Sequence, residues 1–141
     1  MSFREKSAWA CLLTTLAVFL PYFVYVFWRF GHEERGTLSV TPEFIAAVVF
    51  AIVLNVGVHI AIAVRTRLEP KDERDRAIEA TSYRNAYYVF LSCVGMILFI
   101  PMPWLNHTMT LALMNQVLFV CFIVAETTRY LTQAVGYRRG N

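Results

Sequence analysis

Asn55 and His59 stand four residues apart, which puts them on one face of a helix, and both interrupt an otherwise apolar run. An ionisable group in such a run is a functional candidate by default, because imidazole can relay protons, ligate a metal or stand beside a haem or quinone. No second ligand occurs at metal or haem spacing, however, and a hydrogen bond between helices is the commoner use of such a residue. Counting inward from the ends of the run sets His59 level with Cys11, Thr14 and Thr15, and with Tyr87 or Tyr88. Asn115 and Gln116 lie in a later apolar run, where Asn115 could line a polar path with Asn55, or where both amides simply hold helices together.

The remaining polar candidates are charged. Glu126 and Arg129 fall near the end of the last apolar run, and an antiparallel hairpin turning near residues 103 to 105 brings Glu126 beside Arg84 and Arg129 beside Glu79, as two structural ion pairs. A coupling carboxylate of the kind used by small multidrug exporters would sit deep in the first helix, and no acidic residue occurs in that span. Asp72, Glu73, Arg74, Asp75 and Arg76, with Glu79 a turn later, offer opposite-charge contacts along one helix. A nearly balanced charged rod of this kind is either a solvated extension or a docking surface for a protein partner, since matched charges set register and specificity. His32-Glu33-Glu34 could touch a metal, but a short charged loop between glycines is ordinarily only solvated. Cys11, Cys93 and Cys121 lack the spacing of a ligand set or redox pair and read as small buried hydrophobes. No catalytic, cofactor-binding or metal-binding set is therefore expected.

These residues are carried by elements that the composition describes well. The 141-residue chain is 57% apolar and 16% charged, against roughly 45–50% and 25% for soluble domains. Its charges are gathered into a few stretches, leaving four long apolar runs, whereas a soluble amphipathic helix carries a charge every turn or so. The pattern predicts a single all-α membrane domain, a bundle of four transmembrane helices spanning about residues 8–28, 44–64, 86–105 and 108–128. The first run exceeds a signal-peptide core and has no small-residue cleavage site after it, so it reads as a retained helix. Thr41-Pro42-Glu43 has the composition of a helix start.

Residues 65–85 form a charged linker with six basic and five acidic side chains. No Gly or Pro occurs between Lys71 and Val94, so one helix is expected from near Pro70 into the third span, and its charged part should project beyond the bilayer. Pro101 and Pro103 end that span, Trp104 anchors it, and Asn106-His107-Thr108 makes a turn whose glycosylation spelling lies too close to the membrane to serve as an acceptor. The fourth helix meets no breaker before Gly136, which reads as its C-cap, so it too should extend past the bilayer into the cytoplasm. Eleven of the thirteen basic residues fall on the side holding both termini, with only Arg29 and Arg35 opposite. The expected topology therefore has both termini cytoplasmic, in the inner (cytoplasmic) membrane. The net charge of +3 is spread among acidic neighbours, which excludes a nucleic-acid stripe.

Lys71-Asp72-Glu73-Arg74-Asp75-Arg76-Ala77-Ile78-Glu79, the following Ser82-Tyr83-Arg84 and Ala86-Tyr87-Tyr88, and the terminal Tyr137-Arg138-Arg139-Gly140 resemble small four-helix prokaryotic membrane proteins known as a domain of unknown function. The resemblance covers mainly residues 70 to 141. It implies the four-helix layout and the cytoplasmic linker, and, through the company such proteins keep with small helix-turn-helix regulators, a role in sensing or regulation. It brings no reaction or ligand. The residues and the resemblance together lead to the expectation of a non-enzymatic membrane module, a self-associating homo-oligomer or a companion of another membrane or cytoplasmic protein, which docks its partner through the charged helix. Gly57 and Ala61 would permit close helix approach within the bundle or between subunits. The alternatives are a small oligomeric transporter or channel lined by Asn55, His59 and Asn115, and a membrane redox or cofactor-binding protein built around His59 and neighbouring tyrosines.

Overall fold

The computed structural model describes residues 3–32, 41–65, 72–99 and 111–139. They form four helices: α1 (Phe3–His32), α2 (Thr41–Arg65), α3 (Glu73–Phe99) and α4 (Leu111–Arg138). The expected features at Glu33–Gly36, Pro70, Pro101, Pro103, Trp104 and Asn106 to Thr108 lie outside the described residues. Three of the helices, over Arg4–His32, Pro42–Val64 and Ala112–Arg138, are long and apolar enough to cross a membrane. The described part of α3 does not make a span of that kind, because its first half is charged and its apolar half runs out of the described residues at Phe99.

Each helix follows from its sequence. α1 continues to His32, a full turn past the expected end at Trp28, because the His32 ring caps it: Nδ1 lies 2.8 Å from the Trp28 carbonyl oxygen and the two rings stack at 4.6 Å. That engages His32 with its own helix end. Pro21 lies within α1 without ending it; the missing N–H forfeits one backbone bond, a loss that packed membrane helices commonly accommodate. α3 starts with a reciprocal cap in which the Asp75 amide donates to Asp72 Oδ1 at 2.8 Å and the Asp72 amide donates to Asp75 Oδ2 at 3.1 Å. Thr14, Thr127, Thr128 and Thr132 each donate a hydroxyl to the carbonyl four residues back, at 2.5–2.9 Å. A hydroxyl satisfied inside its own helix leaves the surface apolar, as lipid requires.

At 30 residues and 1.5 Å per residue α1 is about 45 Å long, and α4, with 28, about 42 Å. Both exceed the ~30 Å of a hydrocarbon core. Length beyond one hydrocarbon thickness is thus found in α1 as well as in α4.

The helices pack neighbour by neighbour in the order α2, α1, α4, α3, so the first and last helices form the central seam. Away from the termini this seam is dry and aromatic. Phe119 of α4 meets Phe19 and Phe44 edge-on at 5.3 and 4.8 Å, and Tyr22, Val26, Ala51 and Ile123 are buried around them. Edge-to-face pairs of this kind contribute about 0.5–1.5 kcal/mol each beyond their area. Arg29 and Glu43 join α1 to α2 at the same end by a 2.8 Å ion pair. α2 itself is covered on one side only, with 6% of its apolar window buried, and Val49, Phe50, Val53, Val56 and Ile60 point outward. So large an apolar face is what a lipid solvent accepts and water does not.

Two glycines take places other than those expected within the bundle. Gly57 has no atom within 4 Å of where a Cβ would stand, so it is not a packing point inside the bundle. Gly136 is one: a Cβ there would lie 2.9 Å from Ile78 Cγ2, and the glycine has no positive φ and sits inside α4 rather than capping it. The Ile78 side chain of α3 packs into the space that the missing side chain leaves.

Candidate functional site

Toward the end of the bundle that holds both termini the aromatic seam gives way to a cavity of about 400 Å³ reached by all four helices. α1 contributes Arg4, Ser7, Ala8 and Cys11, the i, i+3, i+4, i+7 pattern of a single helix face. α4 repeats the device with Arg129, Tyr130, Gln133 and Tyr137. α3 adds Glu79 and Tyr83 from the charged half that precedes its apolar residues, and α2 adds His59.

His59 is held through both ring nitrogens. Ser7 Oγ lies 3.1 Å from Nδ1 and Cys11 Sγ 3.0 Å from Nε2. With the proton on Nδ1 the ring donates to Ser7 and accepts from the Cys11 thiol; the other tautomer reverses both bonds. The pairing with Cys11 agrees with the level counted from the sequence. A thiol, an imidazole and a hydroxyl in a row have the form of a nucleophile, a base and a group that orients the base. Cys11 is only 2% exposed and lies at the wall of the cavity. What the row achieves in this structure is to tie α2 to α1 at one end, as Arg29 and Glu43 do at the other.

Arg129 is fixed more tightly. Nη2 pairs with Glu126 Oε2 at 2.9 Å one turn earlier, and the guanidinium lies over the rings of Tyr83 and Tyr130 at 5.1 and 4.5 Å. Its Nε is buried without an acceptor. Beside it, Gln133 Nε2 donates to Ser82 Oγ at 3.0 Å, and that hydroxyl donates to the Glu79 carbonyl at 2.7 Å. Ser82 is completely buried, so the α3–α4 contact here is polar and closed. Ser82 opposite Gln133, with Ile78 on Gly136, sets a hairpin register later along α4 than a turn near 103 to 105 implies. For that reason Glu126 takes Arg129 of its own helix, rather than Arg84 across the hairpin, while Arg129 and Glu79 share the cavity lining. Arg84 is exposed.

The charged start of α3 is tied to α1 as well as to α4. Asp72 and Asp75 are used in the reciprocal cap, and Asp75 also forms an ion pair with Arg4 of α1. Glu73, Arg74 and Arg76 are exposed along the same turns.

The other polar candidates do not converge. Asn55 donates Nδ2 to the Ala51 carbonyl at 2.9 Å, and its Oδ1 is buried without a partner. Asn115 is exposed, whereas its neighbour Gln116 is buried and accepts a 2.9 Å bond from the Tyr22 hydroxyl in the aromatic seam. Neither Asn55 nor Asn115 lines the cavity that His59 lines, and Tyr87 and Tyr88 are exposed outside it. Among the described residues no group of three or more His, Cys, Asp or Glu side chains comes together to hold a metal. Arg4, Ser7, Tyr83, Tyr130, Gln133 and Tyr137 are the site residues that inspection of single apolar runs passes over. For all of them but Tyr83 the signal was the polar periodicity at 4, 7, 11 and at 130, 133, 137, one face on each of two helices. No family model, curated protein or solved structure matches the chain.

Proposed function

We propose that the protein is a non-enzymatic integral membrane module with four spans and both termini cytoplasmic, which presents the charged first turns of α3 to a protein partner. The observation that carries this reading is the mounting of those turns. They are capped by Asp72 and Asp75, pinned to α1 through Arg4, and pressed on α4 at Gly136 and Gln133. A charged surface held on rigid elements loses little entropy when a partner docks, and its charges then set which partner fits. The unequal distribution of basic residues supports the orientation, and the resemblance to small four-helix membrane proteins supports a regulatory role.

The test uses Glu73→Arg with Arg76→Glu, both exposed, in tagged full-length protein extracted from its native membrane. Loss of a co-purifying protein, with yield and membrane fraction unchanged, is the expected result. The same partner recovered at the same level with the double reversal would refute the reading.

A further inference from the structure

The geometry points to the cavity at the terminal end as a binding site for a phosphate ester. Two arginines from different helices line it beside Glu79, Arg4 paired with Asp75 and Arg129 with Glu126, so an oxyanion would compete with those carboxylates for the two guanidinium groups. Arg129 is pre-set, its plane fixed by Tyr83 and Tyr130 and its Nη2 held by Glu126. A guanidinium locked in this way gives up little freedom when it receives an oxyanion, and its planar fork suits phosphate. Ser7 and the tyrosine hydroxyls of the lining supply neutral donors of the kind an oxyanion accepts from. A volume of about 400 Å³ far exceeds that of a single water-sized ion, so it has room for the phosphate and the group esterified to it. The aromatic faces lie where that group would rest.

Arg4 adds a consequence. It lines the cavity and also pairs with Asp75, so ligand and Asp75 draw on the same guanidinium. Occupancy therefore loosens the tie between α1 and the charged start of α3.

The site is independent of the docking proposal, because ligand titration needs no protein partner. Purified full-length protein in neutral detergent is titrated with inorganic phosphate and, separately, with dioctanoyl phosphatidylglycerol, using heat of binding as the readout. Saturable binding of the lipid alone identifies a headgroup as the source, and binding of inorganic phosphate identifies a soluble ester; either supports the site. Arg4→Gln weakens the binding about tenfold, the loss of one charge-assisted contact. Glu79→Gln and Asp75→Asn strengthen it severalfold, the first by removing repulsion and the second by releasing Arg4, and a gain cannot arise from misfolding. The Asn at 75 keeps the side-chain oxygen that the cap requires. Absence of saturable binding by both probes, or binding that Arg4→Gln and Asp75→Asn leave unchanged, overturns the inference.

Discussion

Gly136→Ala is the sharpest test of how the charged half of α3 is mounted, because two effects of known sign oppose each other there. Adding a Cβ to a helix-interior glycine stabilises the helix by about 1 kcal/mol. In this structure the new atom meets Ile78 Cγ2 at 2.9 Å and Cγ1 at 3.4 Å, so the two backbones must part or Ile78 must leave its rotamer. Ile is stiff at χ1 in a helix, and overpacking of this sort costs about 1–3 kcal/mol. The net expectation is a loss of about 0–2 kcal/mol, and its origin can be isolated with Ile78→Ala. That substitution alone removes packing and destabilises. Combined with Gly136→Ala it makes room for the new methyl, so the double variant should be more stable than the sum of the singles by about 1 kcal/mol or more. The assay is reversible SDS titration of the full-length protein in mixed micelles, followed by circular dichroism. Additive single and double variants, or Gly136→Ala stabilised by the full helix-propensity gain, would refute the α3–α4 crossing and with it the rigid mounting.

His59→Leu removes the bonds to Ser7 and Cys11 and, at about 0.6 kcal/mol for an average side-chain bond between membrane helices, should cost about 1–2 kcal/mol in the same titration; a fully stable variant would show that the row has no structural role. Arg29→Gln should destabilise more than Arg76→Gln, since Arg29 holds Glu43 across two helices at 2.8 Å whereas Arg76 is exposed, and equal midpoints would contradict that ranking. Cys11, 2% exposed, should react with a small maleimide more slowly in the folded protein than Cys93, which is partly exposed, with the difference abolished in SDS; mass spectrometry of the alkylated peptides reads the ratio. Single cysteines placed at Lys6 and Arg138 in a cysteine-free background should be labelled by an impermeant maleimide only after spheroplasts are opened, and labelling of intact spheroplasts would reverse the topology.

The helices were legible because their signals are local. Charge-free runs locate the apolar segments, and the absence of Gly and Pro between Lys71 and Val94 carries α3 unbroken from its charged half into its apolar one. His59 could be set level with Cys11 by counting inward from charged ends. Register was not legible in the second hairpin, because it depends on how many residues the turn consumes, and a displacement of nearly two helical turns along α4 left Glu126 away from Arg84 and paired with Arg129. Gly136 misled for a related reason: a glycine near the end of a helix reads as a cap unless the helix crossing it is known. The cavity could not be read from any one run. Its residues are ordinary polar side chains, each on a face that becomes an interior only when four helix ends meet.

The central seam has a bearing on how the chain is made. It joins the first helix to the last, and the helices translated between them stand at the two flanks. Phe19 and Phe23 therefore wait, uncovered by Phe119, until the final helix has left the ribosome, and the Tyr22 hydroxyl lacks Gln116 for the same interval. The N-terminal hairpin is a half-finished product with a sticky aromatic face, and its maturation is completed by the arrival of α4. A premature stop before α4 would leave that face open to any neighbouring hairpin, so truncated chains of this protein should be cleared by quality-control proteases far faster than full-length chains carrying a single cavity substitution.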